Sequence, residues 1–308
     1  MAVGASSAEL APRSRVQLLL WRLRKTWAGY LFVSPAALLI ILFSYVAMVF
    51  SLYISFFQWD IITERHTFVG IDNFRRAFAA PVVQVSFKNT AIYVVAIVPG
   101  IVVGSLALAV LGNQVRRGRA LFRTVYFIPT ITPGVVVAML WVWIFEPTGA
   151  LNRLLASIGI SGPNWLFDKG TALLAIIIMT LWSAMGYYMI IFMAGLSDIP
   201  EVFYEAAKVD GANRWATFWS ITIPLLRNSL IFVFVTLTIG GFQMFTQVFI
   251  MTRGGPVQAT QTVQYTIYQQ AFQLLEMGYA SAISWMLFAV ILFFSGLQLK
   301  LFLSRELY

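Results

Sequence analysis

Six stretches of the chain are almost unbroken in apolar residues: 28–57, 90–111, 121–145, 171–196, 225–250 and 278–301. A helix rises ~1.5 Å per residue, so each stretch is long enough to cross a hydrocarbon core of roughly 30 Å. The pattern predicts an all-α polytopic membrane protein with six transmembrane helices. Arg22, Arg24 and Lys25 precede the first stretch, as they would in a signal peptide. That stretch is too long for one and ends at no small-residue cleavage site, so it reads as a retained helix. The polar interruptions then divide the chain into a basic N-terminal tail (1–27), a membrane domain (28–301) containing a long polar loop (197–224), and a short C-terminal tail (302–308).

Composition agrees with this reading and narrows it. Hydrophobic residues make up 60% of the 308, and charged residues only 11%. A soluble domain is usually about a quarter charged, so an ordinary cytosolic enzyme is excluded. The net charge of +9 comes from 21 basic and 12 acidic residues. In a soluble protein that excess would suggest nucleic acid; here it sets topology, because cytoplasmic loops collect Lys and Arg. With the N-terminus inside, fourteen basic residues fall on the cytoplasmic side and seven outside. The inner set includes Arg13, the cluster Arg116, Arg117, Arg119 and Arg123, and Arg305. The outer set includes Arg65, which Asp60 and Glu64 help to balance. Both termini are therefore expected in the cytoplasm.

Several chemistries are missing. The chain has no cysteine and a single histidine, His66, in the segment 62–68 that reads as a solvated connection. No histidine or cysteine metal cluster and no catalytic serine–histidine pair can be assembled. The span centres carry no Lys, Arg, Asp or Glu, which argues against a proton-coupled carrier or pump. No glycine-rich loop ends in Gly-Lys-Ser/Thr, so there is no phosphate cradle for ATP. Active transport would need energy from another subunit. A carrier or channel working alone would be expected to show inverted repeats or membrane-buried charge, and neither is visible.

The loop from 197 to 224 is the most informative segment. Asp198 and Glu201 are spaced as a capping box, Pro200 suits a first helical turn, and Gly211 suits a left-handed helix stop. Glu201 and Glu205 are four apart and share one face, and Ala206 and Ala207 leave no bulk beside them. A short helix of this kind can enter a groove on another protein. A plain connector would also be polar, but it has no need of Phe203, Tyr204, Trp215, Phe218 and Trp219. Those rings suit packing beneath the bundle or against a partner.

The run Glu205-Ala206-Ala207-x-x-Asp210-Gly211-Ala212, followed by Phe218, Ile221 and Pro224, resembles the EAA loop of the membrane-spanning subunits of binding-protein-dependent ABC importers. The flanks Ala194-Gly195-Leu196-x-x-Ile199-Pro200 and Pro224-Leu225-Leu226-Arg227 extend the likeness. Phe68-Val69-Gly70-Ile71-Asp72-Asn73-Phe74 and Met251-Thr252-Arg253-Gly254-Gly255-Pro256 resemble the sugar-type branch, in particular the first permease of maltose-, glycerol-3-phosphate- or trehalose-type importers. Ile223 stands where the family often has Leu, and Asn228 where it often has Pro.

The resemblance implies a bacterial or archaeal inner-membrane subunit that is not an enzyme. Its partners would be a second homologous permease, two ATPase subunits that bind the ATP and magnesium, and an external solute-binding protein. The chain itself would carry no cofactor and no metal. It implies that Glu201, Tyr204, Glu205, Ala206, Ala207, Asp210 and Gly211 form the helix that couples to the ATPase, with Glu205 facing basic groups there. It also makes Arg253, Gly254, Gly255 and Pro256 candidates for docking the binding protein.

Sugars are met by amide hydrogen bonds and aromatic faces. The candidates for the solute path are therefore Gly186, Tyr187 and Tyr188, near Trp182 and Ser183 in the fourth span, and Gln243, Thr246 and Gln247 in the fifth. Gln243 and Gln247 are expected on one helical face. Packing alone would also account for the aromatics. Pro99, Pro129 and Pro133 should bend the second and third spans, and Trp165 suits the membrane interface.

Overall fold

The computed structural model describes residues 15–59, 66–115 and 117–303. Arg13, Asp60, Glu64, Arg65, Arg116 and Arg305, which enter the charge balance, lie outside the described residues, as does the remainder of the two expected tails beyond Arg15 and Leu303. The chain divides into two compact units at Tyr53/Ile54, inside the stretch read from sequence as a single membrane domain.

The first unit is helical throughout its described length. α1 (Arg15–Ile40) passes through a π-helical turn (Ile41–Tyr45) into α2 (Val46–Ser55), whose last two residues belong to the second unit. The helix thus starts at Arg15, within the segment expected to be a tail. Large side chains such as Phe32, Leu38 and Phe43 are exposed all round it, as an apolar helix in a bilayer requires.

The second unit opens with a hairpin, β1 (Phe57–Trp59) against β2 (His66–Phe68), in antiparallel register with Trp59 opposite His66. His66 stacks on the Trp59 ring, centroids 3.6 Å apart. Residues 66–68 are therefore a strand, though an exposed one, as a solvated segment would be; cross-strand stacking supplies the order that polarity alone does not suggest. α3 (Asp72–Ala79) follows. Its buried Asn73 donates from Nδ2 to the carbonyls of Ser55 and Phe57, both at 2.9 Å.

Two long helices form the centre. α4 (Pro81–Gln114) and α8 (Ala172–Ser197) run parallel and in close contact. Leu181 and Met185 lie where Cβ atoms of Gly100 and Gly104 would be, at 2.8 and 2.7 Å. Small residues four apart allow this approach, which replaces hydrophobic driving force inside a membrane. Tyr93 donates to Thr180 at 3.0 Å, and Ser105 to the Met185 carbonyl at 3.0 Å. Pro99 is absorbed within α4.

Between the central pair the chain forms α5 (Arg119–Ile131), α6 (Gly134–Phe145) and α7 (Ala150–Ser157). The expected third span is thus two helices and not one bent helix. Pro133 forces Thr132 into extended backbone (φ −76°, ψ 133°) and ends α5, whereas Pro129 lies inside it. Trp165 is tied to Asn152 by a 2.8 Å hydrogen bond and packs on Phe145, so it braces this end of the bundle.

After α8 come α9 (Glu201–Val209), α10 (Arg214–Thr217), a π-helical turn (Phe218–Thr222) and α11 (Ile223–Leu225). α12 (Arg227–Phe242), α13 (Thr246–Met251), α14 (Val263–Tyr268) and α15 (Met277–Leu303) complete the chain. α12 packs antiparallel to α4, with Gly241 against Val94 and Ile97. α15 packs antiparallel to α12, through Phe242–Phe294 and the Gln298–Thr238 hydrogen bond of 2.8 Å. Hence α9 lies at one end of the bundle, while α3, α7 and the 252–276 segment lie at the other. There, Arg76 pairs with Glu276 at 2.8 Å and covers the Tyr279 ring.

Candidate functional site

α9 begins where proline dictates. Pro200 occupies the N-cap in extended backbone, so Glu201 is the first helical residue. Asp198 instead closes α8, and its side chain makes no cap to α9. The expected capping box would need Glu201 in the third helical position, and Pro200 starts the helix too late for that. Glu201 still meets the positive end of the helix dipole.

The far end follows the sequence reading closely. Gly211 is left-handed at φ +75°. The Ala212 N–H reaches the Ala207 carbonyl at 2.9 Å and the Gly211 N–H reaches that of Lys208 at 3.1 Å. These two bonds are the Schellman closure, which satisfies carbonyls the helix cannot.

The two faces of α9 differ. Tyr204 bonds Thr222 through its hydroxyl at 3.2 Å and packs on the core, and Ala207, three residues on, is buried. Tyr204 and Ala207 therefore hold the helix to its own bundle. Glu201, Glu205, Ala206 and Asp210 are exposed, together with Val202, Phe203 and Val209. What the loop offers outward is a rigid strip carrying acidic groups, small residues and three apolar side chains.

The expected path residues are placed unevenly. Tyr187 and Trp182 are both exposed on α8, and Tyr188 is half-buried, edge-on to Tyr187 at 5.1 Å. Gly186 is buried, and the Tyr126 carbonyl lies 1.8 Å from where its Cβ would be. This glycine lets α5 cross α8 and presents no surface to a solute. Gln243 and Gln247 do not share a face, because the fifth span breaks between them. Gln243 caps α12, and α13 starts at Thr246. The Thr262 hydroxyl accommodates the break by donating to the Met244 carbonyl at 3.2 Å, which is how interrupted helices are tolerated at membrane depth. Gln243 is exposed at the break, and Thr246 and Gln247 are half-buried just beyond it. A cavity of about 230 Å³ between α6 and α13 is lined by Met139, Val142, Phe249, Ile250 and Arg253. Of all the residues singled out in sequence, only Arg253 borders it.

The Arg253–Pro256 turn is held from beneath. Arg253 and Gly254 have positive φ, and Gln261 lies against Gly254. Asn89 of α4 donates to the carbonyls of Gln258 (2.8 Å) and Gln261 (3.0 Å), and Thr90 accepts from the Val263 N–H at 3.1 Å. Nothing in sequence marks Asn89 or Thr90 as partners of a loop some 170 residues away. Asn213 caps α10 by accepting from the Ala216 N–H at 2.8 Å, as favoured cap residues do.

Residues 96–303 match the family described as binding-protein-dependent transport system inner membrane component. The chain belongs to that family. The permease is 37% identical over 279 residues to the probable ABC transporter permease protein YurN of Bacillus subtilis, covering 89% of this chain and 95% of that one. It is 35% identical over 276 residues to the lactose transport system permease protein LacF of Rhizobium radiobacter, covering 88% and 92%. Its fold matches a chain of a bacterial ABC transporter involved in the import of the acidic polysaccharide alginate, with TM-score 0.83 over 94% of this permease and all of that chain, at 22% identity. The permease is thus an all-α, multi-pass transport component of a binding-protein-dependent ABC importer, and not an enzyme. The family match begins inside α4 and does not reach the 68–74 segment.

Proposed function

We propose that the permease forms half of an alternating-access pathway for a sugar, or a related polyol or sugar phosphate, handed over by an external solute-binding protein. A second homologous permease completes the pathway. Two ATPase subunits, which bind the ATP and magnesium, drive it by gripping α9. Both termini and α9 lie on the cytoplasmic side of a bacterial or archaeal inner membrane, and the Arg253–Pro256 turn faces the binding protein.

One observation carries the coupling assignment. α9 is fixed to its own bundle by Tyr204 and Ala207 and closed by Gly211, yet it leaves Glu201, Glu205 and Asp210 free on the surface. A lever must not slip or bend, and a charge-assisted contact adds register to it. The sugar assignment draws on the lactose relative, on exposed Tyr187 and Trp182, and on Gln243 at the helix break.

The test is uptake by the reconstituted complex. Glu205→Lys should abolish solute-stimulated ATP hydrolysis and uptake while the protein still inserts and the solute still binds the external receptor. Normal uptake by that variant would refute the docking role of α9. Normal hydrolysis without stimulation by any sugar would refute the solute class alone.

A further inference from the structure

Past Gly211 the loop changes character. Residues 211–225 contain one basic residue, Arg214, and no acid. Their helical run, Arg214–Leu225, meets α12 at a bend of 68°. The run and α12 together are long and apolar enough for one bent span; because α9 and the start of α15 stand at opposite ends of the bundle, we assign the crossing itself to α12 continued by α13. An arm at 68° to that crossing lies much closer to the membrane plane than to its normal.

The arm is two-faced. Thr222 is buried against Tyr204, and Phe218 and Ile223 pack on the core. Trp215 and Trp219, four residues apart and hence on one face, point away and are 72% and 60% exposed. Leu225 and Phe232 continue the exposed apolar surface onto α12. Tryptophan is favoured where its apolar ring and polar N–H meet the headgroup region. A helix with aromatic residues on one face and basic charge beside them is built to lie in that plane.

We propose that the Arg214–Leu225 arm lies in the membrane–water interface, with Trp215 and Trp219 seated among lipid headgroups and Arg214 against their phosphates. The bilayer then anchors the joint between α9 and α12. This placement needs only the membrane embedding of the permease; its use as a pivot for ATP-driven movement of α9 rests on the coupling role proposed above.

The chain has no cysteine, so single cysteines can carry a spin label. Ala216→Cys and Ser220→Cys place labels on exposed positions beside the two tryptophans and keep both rings. Val209→Cys labels the outward face of α9. Each is measured in the assembled complex, with cysteine-free partner subunits, in nanodiscs of phosphatidylethanolamine and phosphatidylglycerol. Labels at 216 and 220 should be several-fold more accessible to oxygen than to a water-soluble nickel complex. Adding Trp215→Ser with Trp219→Ser should shift both labels toward water. Equal access to the nickel complex, loss of access to both reagents, or no shift on removing the tryptophans would each overturn the proposal. The Val209 label reports on coupling separately: if it stays open to water in the complex, the ATPase contact fails while the lipid contact stands.

Discussion

At Gly186 a hydrogen atom decides the fit between two helices. A Cβ there would sit 1.8 Å from the Tyr126 carbonyl oxygen and 2.6 Å from its carbon. Backbone cannot swing aside as a side chain can, so α5 and α8 would have to separate. Gly186→Ala should therefore destabilise the permease by about 1–3 kcal/mol, the usual cost of overpacking, seen as a lower melting temperature in detergent. An unchanged melt would mean that the crossing is looser than drawn. Gly211 imposes a different constraint, since open space surrounds it and only its φ of +75° excludes other residues. Gly211→Ala should cost about 1–2 kcal/mol by weakening the closure of α9. It should depress coupling more than folding, read as a lower ratio of uptake to ATP hydrolysis.

Elements were legible where local rules dominate and obscure where distant contacts intervene. α8, α9 and α15 fall close to their expected limits, because long apolar runs and the Pro200 and Gly211 stops act within a few residues. The breaks at Thr132-Pro133 and Gln243–Phe245 were misread as continuous helix. The first follows from proline geometry that the sequence did display. The second depends on Thr262, which donates to Met244 from a later loop, and no local pattern announces that bond. The same distance hides the support of the 254–263 segment. Asn89→Ala would strip the shared donor from the Gln258 and Gln261 carbonyls, and an unmet buried acceptor costs about 1–3 kcal/mol. Amide hydrogen exchange in 259–263 should rise, and that at the centre of α8 should not. Unaltered exchange in the loop would show that Thr90 and Gln261 hold it without Asn89.

For the whole molecule, what matters is where charge is absent. α8 carries no Lys, Arg, Asp or Glu from end to end, α4 carries only Lys88, and α15 only Lys300 in its last turn. A proton relay needs a series of acidic or basic groups across the membrane, and two lysines on separate helices do not make one. The helices are instead tied by side chains seated on glycine backbone, Leu181 of α8 on Gly100 of α4 and Val94 of α4 on Gly241 of α12. Such contacts suit helices that move as rigid pieces when something outside them moves. Uptake by the reconstituted importer should therefore persist when a proton ionophore collapses the gradient at constant internal ATP. It should stop when ATP is removed with the gradient intact. The reverse pattern would place the energy source inside the bundle. In that event the acidic strip on α9, however rigid, would have no force to transmit.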